Sequence, residues 1–370
     1  MLPLCHRADL HPTPPVSCLP RVLGAWLALQ LAACSTSAPD HAPSIDLQAA
    51  AGAMLDSTSY VVPGTGEART LPLTIWYPTD DTSGEPTRFN LIQRDELSYL
   101  DATVAPARRP LPLFVYSHGD RAWGGSAHRI ARQFVLNGWV VVAADHIGST
   151  FFETPGPKPG EYEIVRAYDV QAVIDHMESL PPEHPLHGLV NTSEVYVGGH
   201  SYGGRTAWLG SGVTLDMDAI TAGCTGCTQA QLDAFALFEP DTRIAAVASF
   251  AGDLGTNRAA PAGYASVQVP VLFMTGSNDG DGGRPMFERV TLADVIWLQF
   301  QGGCHESFTG TLDCATLDVD SSVEATATYL IAFGDVHVRH SSNATMRAII
   351  DGSIEVADFV SYERTPTRLP

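Results

Sequence analysis

The run Gly199-His200-Ser201-Tyr202-Gly203 sets one serine between two glycines. The β-branched stretch Val195-Tyr196-Val197 precedes it and a helix-compatible stretch follows, so the serine falls where a buried strand turns into a helix. Such a turn strains the serine backbone. Glycine on either side keeps neighbouring atoms from colliding while the hydroxyl projects above the sheet edge, and the helix directs its first N–H groups at developing negative charge. The chemistry this permits is attack of Ser201 on an acyl carbon. A plain Gly-rich turn is the alternative, and the strand before and helix after argue against it.

A serine hydroxyl is a weak nucleophile at neutral pH and needs a base, which in turn needs an acid to fix its tautomer. With the nucleophile on a strand-to-helix turn, the chain order expected is Ser, Asp, His. Asp279 follows the strand-like Val269–Met274 run in Thr275-Gly-Ser-Asn-Asp279 and is the expected acid; Asp253 and Asp281 compete. Asn278 to Gly283 lacks the full set of oxygen ligands of a calcium loop. His305, in Gly302-Gly-Cys-His-Glu-Ser-Phe308 after the last core strand, is the expected base among thirteen histidines. His118 and His200 belong to turns, and His176, His184 and His187 read as surface residues without metal-ligand spacing.

The tetrahedral intermediate needs two N–H donors, each worth about 3 to 4 kcal/mol of barrier. The Tyr202 backbone is expected to give one, and the Asp120 backbone, in Ser117-His-Gly-Asp-Arg-Ala-Trp-Gly-Gly125, the other. The Asp120 carboxylate should then turn away, toward Arg121 or solvent. Trp123 and Phe151 stand on loops at the same edge and are candidate linings of an acyl or aryl pocket.

These groups require a frame, and the chain alternates short apolar runs with helix-period stretches, the sign of a mostly parallel sheet flanked by helices. Strands are expected at 71–78 (early, antiparallel), 111–117, 139–144, 195–199, 244–250, 269–274 and 295–300, and helices at 126–136 and 161–179. Residues 211–240 are long for a connection and carry Leu215, Met217, Ile220, Phe235, Leu237 and Phe238, which suits a small cap over the site; a peripheral packing insert is the other reading.

The chain has 370 residues and a formal charge of −20, which sets it against nucleic acid as a partner. Arg21 to Cys34 has the shape of a secretory signal too short to span a bilayer, and Leu31-Ala-Ala-Cys34 has the form of a bacterial lipobox, in which Cys34 is lipidated. The expectation is a signal peptide over 1–34, a tether over 35–54 and a catalytic domain over 55–370. Such a chain is exported and membrane-anchored, with Ser35 pointing to the outer membrane or a periplasm-facing position. Residues 1–20 make a long leader, which puts the true start downstream of Met1. Once Cys5 and Cys18 are removed and Cys34 is anchored, Cys224, Cys227, Cys304 and Cys314 remain. Cys304–Cys314 would staple the loop around His305, which favours the pairs Cys304–Cys314 and Cys224–Cys227 over the other connectivities. A lone CxxC is weak as a redox or zinc signal.

Leu73-Thr-Ile-Trp-Tyr-Pro78, Ser117-His-Gly119, Asp145-His-Ile-Gly-Ser149, Arg166 with Asp169, Gly199-His-Ser-Tyr-Gly-Gly204, Asp241-Thr-Arg-Ile244 and the His305 segment together resemble the platelet-activating-factor acetylhydrolase and dienelactone hydrolase-like branch of the α/β-hydrolases, over about residues 60 to 340. The resemblance implies the α/β-hydrolase fold and carboxylic ester hydrolysis without a cofactor. One departure concerns the acid: the platelet-activating-factor enzymes place it in the loop after the strand matching 244–250, where this chain has Ala251, and that favours Asp279, as in dienelactone hydrolases and cutinase-like polyester hydrolases. Expected partners are small-molecule, lipid or polymeric esters. Polyester hydrolysis is the alternative activity, and a catalytically silent surface-binding module the alternative of another class.

Overall fold

The computed structural model describes residues 41–153, 158–254, 258–280 and 283–365. Its strands are β1 (Ala51–Val61), β2 (Ala68–Tyr77), β3 (Pro86–Arg88), β4 (Arg94–Leu100), β5 (Leu111–Ser117), β6 (Val140–Ala144), β7 (Val190–His200), β8 (Ile244–Phe250), β9 (Val271–Gly276), β10 (Val295–Phe300) and β11 (Val360–Arg364). They form one sheet in the order β11-β10-β9-β8-β7-β5-β6-β2-β1-β4-β3. From β10 to β6 all neighbours are parallel; β11 and β2 close this core antiparallel at its two sides. The fold class is therefore the expected one, a mostly parallel sheet flanked by helices.

The parallel strands are buried on both faces because helices cover both. On one face lie α2 (Tyr162–Glu178) and α3 (Tyr202–Gly210), burying Ile164, Val173, Ile174, Trp208 and Leu209. On the other lie α1 (His128–Leu136), α7 (Val319–His337) and α8 (Ala344–Ile350), which bury Ile130, Phe134, Leu330, Phe333 and Ile349. A near-continuous run such as Val140-Val-Val-Ala-Ala144 suits a strand with no wet face. Gly138, at φ 77°, ends the turn after α1 as Asn137-Gly138 predicted.

The insertion forms α4 (Met217–Gly223) and α5 (Gln229–Ala236). Asp216 caps the first by accepting from the Ala219 N–H, and Thr228 with Gln231 makes a capping box on the second. Ile220, Ala234 and Phe235 are buried in the core beside α2, and the Tyr168 hydroxyl donates to the Ala234 carbonyl at 2.9 Å. α6 (Gly283–Arg289) precedes β10.

The folded part begins earlier than residue 55. β1 starts at Ala51, and before it the Ser44 and Asp46 N–H groups donate to Asn137 and Gln133 of the α1 end, while Arg132 donates to the carbonyls of Leu47 and Ala49. Backbone hydrogen bonding, invisible to hydrophobic periodicity, orders this stretch, so residues 41–54 are not a tether. Cys34, the signal segment and residues 35–40 lie outside the described residues. Among the described residues, no helix is long and apolar enough to cross a membrane.

Candidate active site

Ser201 stands between β7 and α3 with φ 55° and ψ −115°, a conformation that a residue with a Cβ adopts only under strain. Its N–H donates to the Phe250 carbonyl at 2.9 Å, tying the turn to the end of β8. The crossing explains the last glycine of the motif: a Cβ on Gly203 would lie 1.8 Å from the Ser117 carbonyl oxygen.

His305 arrives on the loop after β10. Its Nδ1 lies 2.8 and 2.9 Å from the two carboxylate oxygens of Asp279, and its Nε2 lies 2.8 Å from Ser201 Oγ. A carboxylate can only accept, so in the neutral ring Nδ1–H donates to Asp279 and Nε2 is left to accept the Ser201 proton. The hydrogen bond to Asp279 raises the His305 pKa above its ordinary value against the opposing effect of burial. Asp279 follows β9 in a loop sewn to its neighbour: the Ser277 N–H donates to Phe300 and the Asn278 N–H to Gly303, both at 2.9 Å. Of the competing acids, Asp253 lines the same cavity without bonding His305, and Asp281 lies outside the described residues.

The loop that carries His305 is closed by the Cys304–Cys314 disulfide, with Cα atoms 5.7 Å apart. The second bridge is Cys224–Cys227, Cα atoms 5.5 Å apart, between α4 and α5. His200, for which the sequence suggests only a place in the turn, donates from Nε2 to the His305 carbonyl at 2.7 Å. Burial holds its ring below the usual imidazole pKa.

Among the described residues, no protein group accepts a hydrogen bond from the backbone N–H of Asp120 or of Tyr202. The Asp120 side chain stays partly in solvent, 42% exposed, and its cationic partner is Lys158 rather than Arg121. It accepts from Ser149 Oγ at 2.7 Å and pairs with Lys158; burial opposes ionisation, but these two partners hold its pKa below the ordinary carboxylate value.

Beneath this loop lies a buried polar network whose members the sequence displayed without roles. Asp169 accepts from Arg69 at 3.0 Å and from His146 Nδ1 at 2.8 Å, and His146 Nε2 lies 2.8 Å from Ser117 Oγ. Arg166 donates to the His118 carbonyl and, at 3.2 Å, to Ser117 Oγ. Burial, then the charge of Arg166, drives His146 down to about 4, so it is neutral and its Nε2 accepts the Ser117 proton. The available signal was an arginine and an aspartate on the buried side of α2, where charge persists only if paired.

A cavity of about 220 Å³ opens at Ser201, lined by Tyr202, Arg205, Gly252, Asp253, Phe273 and Thr275 beside His305 and Asp279. No residue of 211–240 is in its wall. Trp123 and Phe151 do not line it either. The Trp123 indole donates to Gln93 and its ring packs 6.1 Å from Phe151 and 5.7 Å from Phe152, forming a rim cluster in which Phe151 is 49% exposed.

Neither a protein-family model nor a curated protein matches the chain. Among solved structures, the chain is similar to a ferulic acid esterase from Streptomyces cinnamoneus, with a TM-score of 0.60 at 20% identity, over 87% of this chain and 98% of that one. The likeness extends across nearly the whole of the esterase and shows a common α/β fold.

Proposed function

We propose that the protein is a serine carboxylic ester hydrolase of the α/β-hydrolase superfamily. The observation that carries this reading is the position of His305, within hydrogen-bonding distance of Ser201 Oγ on one side and of Asp279 on the other. His305 takes the Ser201 proton as Oγ bonds to the ester carbonyl carbon, and the N–H groups of Asp120 and Tyr202 receive the oxyanion. The carbon–oxygen bond to the alcohol then breaks, and the alcohol leaves with the proton from His305. Water, deprotonated by His305, attacks the acyl-enzyme and releases the acid, and the proton returns to Ser201. A fold shared with an esterase supports the reaction class, and the resemblance to the platelet-activating-factor acetylhydrolase and dienelactone hydrolase-like branch supports the assignment of roles.

The cavity at Ser201, with Phe273 but also Arg205 and Asp253 in its wall, suits a short acyl group better than a long alkyl chain. A second reading, hydrolysis of polymeric esters, is favoured by the exposed cluster of Trp123, Phe151 and Phe152. It sits on the strip that joins the Asp120 loop to residues 149–151 by main-chain bonds, so an extended substrate leaving the cavity would meet these rings. The lipobox supports export and anchoring through Cys34 with the enzyme outside the cytoplasm.

The test is hydrolysis of p-nitrophenyl esters from acetate to dodecanoate by the parent, Ser201→Ala and His305→Ala. Activity in the parent that collapses in both variants is expected, with short chains preferred. A folded parent inert at every length would overturn the reading in favour of a silent binding module.

A further inference from the structure

A second cavity, of about 480 Å³, lies on the far side of Tyr202 from the nucleophile. Tyr202 lines both cavities and is their shared wall. The second is bounded by Lys158, Gly160 and Glu163 at the start of α2, by the Gly223–Cys227 turn with its disulfide, and by Gln231 of α5. The insertion between α3 and β8 therefore shapes a chamber beside the nucleophile, without roofing the Ser201 cavity itself.

The chemistry of its wall is specific. Glu163 is only 4% exposed; one carboxylate oxygen pairs with Arg258, while Oε1 has no hydrogen-bond partner among the described residues. An acceptor left so is costly unless something in the cavity donates to it. The two cations of the wall are already paired, Lys158 with Asp120 and Arg258 with Glu163, so the chamber offers no free positive charge to attract an anion. Gln231 donates to Glu161 at 2.6 Å, adding a polar edge, and long alkyl chains find little apolar wall.

Resting on the ester hydrolase reading, we propose that this chamber is the subsite for the alcohol half of the ester, and that the alcohol is a neutral polyol whose hydroxyl donates to Glu163 Oε1. The acyl group then occupies the cavity over Phe273 and Thr275, and the alcohol passes Tyr202 into the chamber lined by Glu163 and the disulfide turn. The disulfide sets the shape of that turn: a Cβ on Gly160 would lie 2.3 Å from Cys224 Sγ, so Gly160 is the surface against which the bridge closes.

The experiment compares two acetates with different alcohols, glycerol monoacetate and p-nitrophenyl acetate, on the full chain and two variants. Glu163→Met removes the acceptor. Gly223→Phe fills the chamber from a position where an added Cβ meets nothing nearer than Arg258 Nη1 at 3.7 Å, so it keeps the test open if Glu163→Met does not fold. Losing one hydrogen bond to a charged group should lower kcat/KM for glycerol monoacetate about tenfold or more, through KM, with p-nitrophenyl acetate within about twofold. Equal changes on both esters, or none on either, would overturn the subsite. Saturation-transfer NMR with free glycerol provides a readout without turnover, and the signal should appear with the parent and vanish in Gly223→Phe. An inert parent that still transfers saturation to glycerol would overturn the hydrolase reading and leave the chamber standing. An active parent giving no transfer difference between the two chains would do the reverse.

Discussion

The main-chain N–H of His146 donates to Nε2 of His118 at 3.0 Å. With Nε2 accepting, the single proton of a neutral ring sits on Nδ1, which lies 2.7 Å from the Gly119 carbonyl. Burial, then the charge of Arg166, drives the His118 pKa well below its ordinary value and keeps the ring neutral. The Gly119 carbonyl and the Asp120 N–H are two ends of one peptide plane. His118 is thus placed to aim the proposed oxyanion donor without touching substrate. His118→Leu should lower kcat on p-nitrophenyl acetate about 10- to 100-fold with KM little changed, short of the roughly 10²–10³ of losing a donor outright. His118→Asn, whose amide nitrogen stands in for Nδ1, should restore most of it. Equal loss in the two variants would refute the positioning role.

The base of the proposed mechanism must be neutral, and Asp279 raises the His305 pKa. The acid limb of kcat/KM should therefore have its midpoint above about 6.5, the ordinary histidine value. Asp279→Asn removes the group that raises it, so the midpoint should move down while kcat falls by about 10³ or more. A pH–rate profile of both chains, read by single-turnover acylation, decides this.

His118 and His146 are buried neutral, the latter with its pKa pushed down to about 4. Their pKa values are lower folded than unfolded, so between about pH 6.5 and pH 4 the unfolded chain binds more protons and stability falls as pH falls. Each such proton contributes a slope near 1.4 kcal/mol per pH unit. Urea unfolding at pH 7 and pH 5 should show the drop. His146→Gln, which removes one titrating group, should show a smaller one, even if less stable at pH 7.

Closing the Cys304–Cys314 loop should contribute about 3 kcal/mol by restricting the unfolded chain. Because this loop carries His305, Cys314→Ser should cost activity as well as thermal stability. Cys227→Ser, in the other bridge, should leave p-nitrophenyl acetate turnover nearly unchanged. Melting curves and kcat of the two variants separate these outcomes.

Gly203→Ala should be more damaging than its one added methyl suggests, since the new Cβ would press on the Ser117 carbonyl at the base of the Asp120 loop. The expected result is little soluble protein. Soluble protein with full activity would show that the α3–β5 crossing yields easily.

The parallel core was legible because its strands carry near-continuous apolar runs: 244–250 and 295–300 coincide with β8 and β10, while β7 begins at Val190, five residues before its apolar run, because Asn191 to Glu194 are polar. The edges were not. β1 is buried for four residues and then alternates, β3 and β4 are short and half polar, and β11 is polar at every second position, so their existence depends on pairing partners rather than on composition. Ser201, Asp279 and His305 could be placed because their roles require strand ends in a fixed order, and the structure brings those three together. The His118 relay could not be read in the same way, since it depends on which ring nitrogen faces which main-chain group. Trp123 and Phe151 illustrate the remaining gap: both reach the correct edge, but rotamers set by Gln93 and by each other decide where the rings go.

The loops that present Asp279 and His305 are joined to each other by main-chain bonds, Ser277 to Phe300 and Asn278 to Gly303, and the Ser201 turn is tied to the end of β8 through Phe250. No substitution short of proline removes such a bond. Side chains around the site can consequently vary without untying these loops, which fits a fold held in common with a solved structure at 20% identity.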